Sequence, residues 1–170
     1  MRHQQLYHPS GRIKRSNLRS LLVLVILRQV SGALNYNQMT KFVPPINEGY
    51  VVKVYDGDSL TVASRLPYEA SPLYRFSVRV NGIDCPEMRS KCGDERQIAK
   101  MAKTHLKQLV MDQKVNLSVL GTDKYGRVLA DVEIIMKDDK MINVAEEMLL
   151  RRFAVEYRGG KKTWREKNFA

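Results

Sequence analysis

Residues 50–64 read YVVKVYDGDSLTVAS, two β-rich runs joined at Asp56-Gly57-Asp58. Asp-Gly between such runs marks a hairpin turn, so the chain commits early to antiparallel pairing between sequence neighbours. The next stretch, RLPYEASP (65–72), contains Pro67 and Pro72 and reads as a loop. In YRFSVRVNG, Phe76, Val78 and Val80 alternate with Ser77, Arg79 and Asn81, the pattern of a half-buried third strand. That alternation puts Arg79 on the face opposite the apolar trio.

After Pro86 the period changes. Ile98, Met101, Ala102, His105, Leu106, Leu109 and Val110 fall on one face of a helix starting near Asp94, with Lys100, Lys103 and Lys107 on its solvated side. Val115, Leu117 and Val119 make a fourth alternating strand, and RVLADVEIIM (127–136) a fifth. Asp138-Asp139 reads as a turn, and Asn143 suits the cap of a second helix running to about Arg152. Three strands, a helix, two strands and a helix describe an α+β domain. Five short strands with this turn chemistry are compatible with a small closed barrel, the oligonucleotide-binding type included, although periodicity alone does not separate it from other α+β folds.

The first 48 residues are different in kind. Residues 1–47 hold seven Lys or Arg and no Asp or Glu, which leaves 22 basic against 18 acidic residues from Glu48 onward out of a net charge of +11. The organisation expected is a basic N-terminal segment, 1–48, and one folded domain, 49–170. LLVLVIL (21–27) is too short to cross a bilayer, which takes about 20 residues. The leader is compatible with a signal peptide, an organellar transit sequence or a weakly ordered basic arm, and the compartment stays open. Membrane association is expected only through this leader. A basic balance suits polyanion partners, yet charge alone is explained at least as well by a soluble surface with Lys-rich faces.

Only His3, His8 and His105 are present, which argues against a histidine-based metal site or triad. Cys85 and Cys92 lack the spacing of zinc or redox motifs and read as free thiols, with a mutual disulfide left open for a secreted chain.

Three clusters stand at strand ends: Asp56-Gly57-Asp58, Arg79 through Glu87 (RVNGIDCPE), and Asp123-Lys124-Tyr125-Gly126-Arg127. Taken singly, each is an ordinary turn or surface charge. Taken together they supply the parts for phosphodiester hydrolysis. Aspartates offer hard oxygen ligands for Ca²⁺ or Mg²⁺. Two arginine forks suit a phosphate whose oxygens gain charge as a nucleophile adds. A remaining carboxylate can take a proton from water.

VYDGDSLTV, RVNGIDCPE and TDKYGRVLADV, in that order with a helix between the second and third, resemble the staphylococcal-nuclease-like (thermonuclease) family over residues 50–157. The resemblance implies a five-stranded Greek-key barrel of the oligonucleotide-binding fold decorated with two to three helices. It also implies calcium-dependent cleavage of DNA and RNA with little sequence preference, by water attack at phosphorus that leaves 3′-phosphate and 5′-hydroxyl ends. By position, Asp58 and Asp84 match the carboxylate ligands of one calcium ion, Cys85 a ligand through its backbone carbonyl, and Asp56 an acid acting through water. Glu87 matches the general base, and Arg79 and Arg127 the two groups that hold the phosphate. Lys124 and Tyr125 match nucleotide-site residues, and Tyr157 a base-pocket tyrosine. No stable protein partner is implied, and a monomer is expected.

The chain departs from the family pattern in a longer loop between Asp58 and Arg79 and in a tail with room for one short helix around Trp164. The competing reading is a non-catalytic nucleic-acid- or protein-binding module of the same fold. Its mark would be loss of Asp58, Arg79, Asp84, Glu87 or Arg127, and all five are present.

Overall fold

The computed structural model describes residues 35–136, 139–160 and Trp164. The chain divides into two compact units, 1–42 and 43–170. In the first, Tyr36–Gln38 forms a 3₁₀ turn capped by Asn35, whose Oδ1 accepts from the Asn37 N–H at 3.0 Å. The LLVLVIL run, Asp138 and most of the tail around Trp164 lie outside the described residues. Among the described residues no helix is long and apolar enough to cross a membrane.

In the second unit, strand β1 (Glu48–Val54) runs antiparallel to β2 (Ser59–Ser64), and β2 to β3 (Tyr74–Val80). β5 (Lys114–Thr122) pairs with the far edge of β1 and with β6 (Val128–Ile135). A parallel pairing of β3 with β6, Val78 to Val128 through Val80 to Ala130, closes the sheet into a five-stranded barrel. Closure removes the exposed edges that such short strands would otherwise present. Three further short strands escape the periodicity: β4 (Ile83–Asp84), β7 (Met141–Asn143) and β8 (Val155–Glu156), with β7 extending β6 and β8 pairing antiparallel with β4. Two and three residues are too few to carry a readable alternation.

Val51, Leu60, Val62, Val78, Val80, Val115 and Val132 fill the barrel and are essentially inaccessible. Each such side chain contributes roughly 1.5–3 kcal/mol on burial. Helix α1 (Gly93–Val110) adds Ala102, Leu106 and Val110 to this core, and α2 (Val144–Leu150) adds Val144 and Met148. Asn143 caps α2, its Oδ1 accepting from the N–H groups of Ala145 and Glu146 at 2.9 and 3.2 Å. The core reaches back to Ile46, and the Leu117 N–H donates to the Asn47 carbonyl at 2.8 Å, so the folded unit begins a few residues before Glu48.

Three expectations change. Met101 is 51% exposed and Ala99 takes its place in the buried stripe of α1. Arg79, placed on the polar face of β3, is buried all the same, because the site residues close over that face. The Asp-Gly hairpin is a four-residue loop, Tyr55 to Asp58, whose Tyr55 N–H donates to the Ser59 carbonyl at 2.8 Å, and Gly57 does not take a positive φ. Glycine is needed there for proximity: a Cβ at Gly57 would lie 2.8 Å from Cys85 Sγ and 3.0 Å from Ala102 Cβ.

Candidate active site

Barrel register gathers the three clusters at one end. Ser59 opens β2 directly opposite Arg79 near the end of β3, and Arg79 in turn lies beside Leu129 at the start of β6. The β1–β2 loop, the turn after β3 and the β5–β6 turn therefore share one rim. The Val80 N–H ties to the Asp58 carbonyl at 2.9 Å. A pocket of about 350 Å³ opens there, lined by Asp56, Asp58, Arg79, Cys85, Glu87, Tyr125 and Arg127 among others.

Arg79 is its electrostatic centre. Nη1 meets Asp58 Oδ2 at 2.7 Å, and Nη2 donates to the Ile83 carbonyl at 3.0 Å and lies 3.5 Å from Asp84 Oδ1. Burial alone would lower the guanidinium pKa, but the charges of Asp58 and Asp84 outweigh it and raise the pKa. Asp58 is further fixed by the Ser59 hydroxyl at 2.9 Å and the Cys85 N–H at 3.3 Å. Asp56 Oδ1 accepts from the Asp58 N–H at 3.2 Å. Burial, then the charge of Asp58, pushes the Asp56 carboxyl up to about 6. Burial and the three neighbouring aspartates raise the Cys85 thiol as well, so it stays protonated and is no nucleophile. Cys85 and Cys92 are both free.

Arg127 is held from two sides. Nε donates to Asp123 Oδ2 at 2.6 Å and Nη1 to Ser59 Oγ at 2.8 Å, which sets the plane of the fork at the pocket wall. Asp123 Oδ1 also accepts the backbone N–H groups of Tyr125 and Arg127, both at 2.9 Å, so this one carboxylate builds the turn and aims the arginine. Gly126 completes the turn at φ 81°, a conformation costly for other residues. The Tyr125 ring packs under Lys124 Nζ at 5.0 Å and beside the Arg127 guanidinium at 5.7 Å.

Tyr157 joins the same rim through the β4–β8 ladder, since its N–H donates to the Gly82 carbonyl at 2.9 Å. Its ring lies 5.6 Å from the Arg79 guanidinium, and its hydroxyl donates to the Gly160 carbonyl at 2.8 Å. Every residue singled out for the site therefore stands at this end of the barrel. Two contributors went unassigned in the sequence, Ser59 and Glu95. Glu95 is 5% exposed; Oε1 accepts the Glu87 N–H at 3.1 Å, and Oε2 accepts the Ser90 hydroxyl. An acid in a first helical turn reads as a complement to the helix dipole, and only the folded loop turns it inward.

Among the described residues no three His, Cys, Asp or Glu side chains form a ready metal cage. The ligand set implied for calcium asks for less: two carboxylates, Asp58 and Asp84, the Cys85 carbonyl, and Asp56 behind a water. All are hard oxygens, as Ca²⁺ prefers. Asp58 and Asp84 share one buried guanidinium with the Asp56 carboxyl close by, an acidic set that a single arginine does not balance. The residues fit a hard divalent cation.

The sequence model of the staphylococcal nuclease homologue family matches residues 77–169, from within β3 to the tail. The chain belongs to this family. Relatives include Endonuclease Htp3 of Saprolegnia parasitica, 33% identical over 119 residues that cover 65% of this chain and 56% of that protein. Probable endonuclease LCL3 of Kluyveromyces lactis is 32% identical over 115 residues, covering 66% of this chain and 42% of the relative. The chain thus spans about half the length of the curated relatives it matches. The family match begins after the Asp56-Gly57-Asp58 loop, and the Arg79–Asp58 ion pair joins that loop to the matched part.

Proposed function

We propose that this member of the staphylococcal nuclease homologue family is a calcium-dependent phosphodiesterase cleaving DNA and RNA with little sequence preference. The observation that carries the reading is the rim pocket where Asp56, Asp58, Cys85 and Glu87 face Arg79 and Arg127. Asp58, Asp84 and the Cys85 carbonyl would hold one Ca²⁺, with Asp56 behind a water ligand, and its charge when bound offsets that of the phosphoryl oxygens. Glu87 takes a proton from the attacking water. Arg127, and Arg79 where its donors reach past the aspartates, stabilise the charge that grows on phosphorus oxygens during in-line attack. The P–O5′ bond breaks and the 5′ oxygen takes up a proton from solvent, giving 3′-phosphate and 5′-hydroxyl ends. Lys124, Tyr125 and Tyr157 contact the nucleotide beside the scissile bond.

The deciding experiment is digestion of single-stranded DNA, duplex DNA and RNA by the full chain with calcium, with magnesium and with chelator, followed by end-group analysis. Calcium-stimulated cleavage leaving 3′-phosphates is expected. A folded preparation without calcium-stimulated cleavage would refute the proposal.

A further inference from the structure

Beside the catalytic pocket runs a larger groove of about 800 Å³ that shares Asp56, Glu87 and Tyr125 with it and adds Lys53, Tyr55, Arg89 and Lys103. We propose that this groove is a track for the sugar-phosphate backbone of a single nucleic-acid strand, carrying nucleotides beyond those at the scissile bond. The inference rests on the nuclease reading above and extends it to a binding surface that the catalytic residues do not include.

Three elements contribute one cation each. Lys53 depends on a β-bulge: strict alternation from the buried Val51 would turn Lys53 inward, but the register against β2 slips between Val51 and Lys53, leaving Val52 and Lys53 both exposed and Val54 buried. Re-aiming a side chain beside a functional site is a recognised use of bulges. Lys103, expected on the solvated side of α1, is instead half-buried at the edge of the buried stripe, four residues after Ala99 and three before Leu106, and, unlike the exposed Lys100 and Lys107, lines the groove. Arg89 is exposed two residues beyond Glu87. Among the described residues none of the three is in an ion pair, whereas Lys114, Arg127 and Arg151 are paired with Glu48, Asp123 and Glu147.

Polyanion chemistry is the match. Asp56 and Glu87, the groove's acidic members, sit on the wall it shares with the catalytic pocket, so the remaining charge is positive. Tyr55 and Tyr125 are 57% and 75% exposed and offer ring faces on which bases of any identity stack. On the other side of Glu87 lies a groove of about 690 Å³ with Arg79, Lys124, Arg127 and Tyr157. A strand crossing the reacting centre is thereby held on both sides through charge and stacking, with no base-specific pocket needed on the Lys53 side.

The test measures binding of a fluorescent oligothymidylate of about a dozen nucleotides to the full chain in chelator, by anisotropy, between about 50 and 200 mM salt. The variant K53Q/R89Q/K103Q should weaken binding and flatten the plot of log affinity against log salt by about 2, since each phosphate contact on a single strand contributes about 0.7. Any contribution of the basic N-terminal segment is common to both proteins and cancels. K100Q/K107Q should leave the slope at the parent value, as should the charge-retaining K53R/K103R. Single variants, each flattening the slope by about 0.7, serve should the triple fail to fold. An unchanged slope in the triple or in every single variant would overturn the track. Because no turnover is required, a flattened slope in a protein that cuts nothing keeps the track and sinks the nuclease, while cleavage with an unchanged slope does the reverse.

Discussion

Arg79 Nη1 lies 2.7 Å from Asp58 Oδ2, an ion pair between the end of β3 and the β1–β2 loop with both side chains buried. Asp84 shares the same guanidinium. Removing one member of a buried ionic group strands the charge of the rest, at about 3–5 kcal/mol. Arg79→Ala should accordingly lower stability by about 3 kcal/mol in chelator, read from urea midpoints at unchanged m. Calcium should then raise the midpoint of the variant more than that of the parent, because a cation beside Asp58 and Asp84 replaces the lost charge. An equal calcium increment in the two proteins would remove these carboxylates from the metal site.

Arg127 faces the pocket with less of the fold depending on it. Arg127→Ala should cost at least about 3 kcal/mol of transition-state stabilisation, or a hundredfold in kcat, by analogy with loss of one preorganised oxyanion donor. Stability should fall far less than for Arg79→Ala, since Arg127 is only partly buried. Single-turnover rates under saturating calcium decide the matter; near-parent turnover would contradict the role.

Much of this site was legible because its parts are turn residues. Asp56-Gly57-Asp58 and Asp123 through Arg127 advertise tight turns whatever surrounds them, and the alternation of Phe76, Val78 and Val80 gives Arg79 its face. What alternation cannot give is depth: Arg79 lies on the polar face yet is buried, because covering residues come from two other turns. Lys53 is hidden for another reason, since a single bulge reverses its direction and no residue in YVVKVY marks it. The short β4 and β8 that bring Tyr157 to Arg79 are stabilised by each other across 70 residues of sequence, which no local pattern encodes.

Asp123 provides a pH test. Burial opposes its ionisation, but hydrogen bonds from the Arg127 side chain and from the backbone of Arg127 and Tyr125 prevail, and its pKa is lowered. A lowered acid stabilises the fold fully above its unfolded value of about 3.9, and the contribution is lost as pH falls through the lower folded value. Asp123→Asn should therefore destabilise by about 1 kcal/mol near pH 7, and the gap to the parent should start to close only as pH falls below the unfolded value of about 3.9. Denaturant midpoints of both proteins across that range make the comparison; a gap independent of pH would mean that the charge of Asp123 contributes nothing.

Glu95 reaches the chemistry only through Glu87. Its Oε1 holds the Glu87 N–H at 3.1 Å, and its other oxygen holds Ser90, whose hydroxyl in turn accepts the Cys92 N–H at 3.1 Å. The carboxylate thus pins the segment from Glu87 to the start of α1. Glu95→Gln keeps the acceptor for Glu87, and its new amide can donate to the Ser90 hydroxyl, so it should stay within a few-fold of parent activity. Glu95→Ala removes the acceptor of two part-buried donors, costing about 1 kcal/mol of stability for each, and frees Glu87 to wander. A base displaced by about 1 Å is enough for a loss in kcat approaching a hundredfold. Pairing the change with Glu87→Gln separates positioning from general loosening: once the base is gone, Glu95→Ala should cost little further in kcat while its stability cost persists. If the two losses in kcat instead multiply, Glu95 acts on the fold alone and not through Glu87.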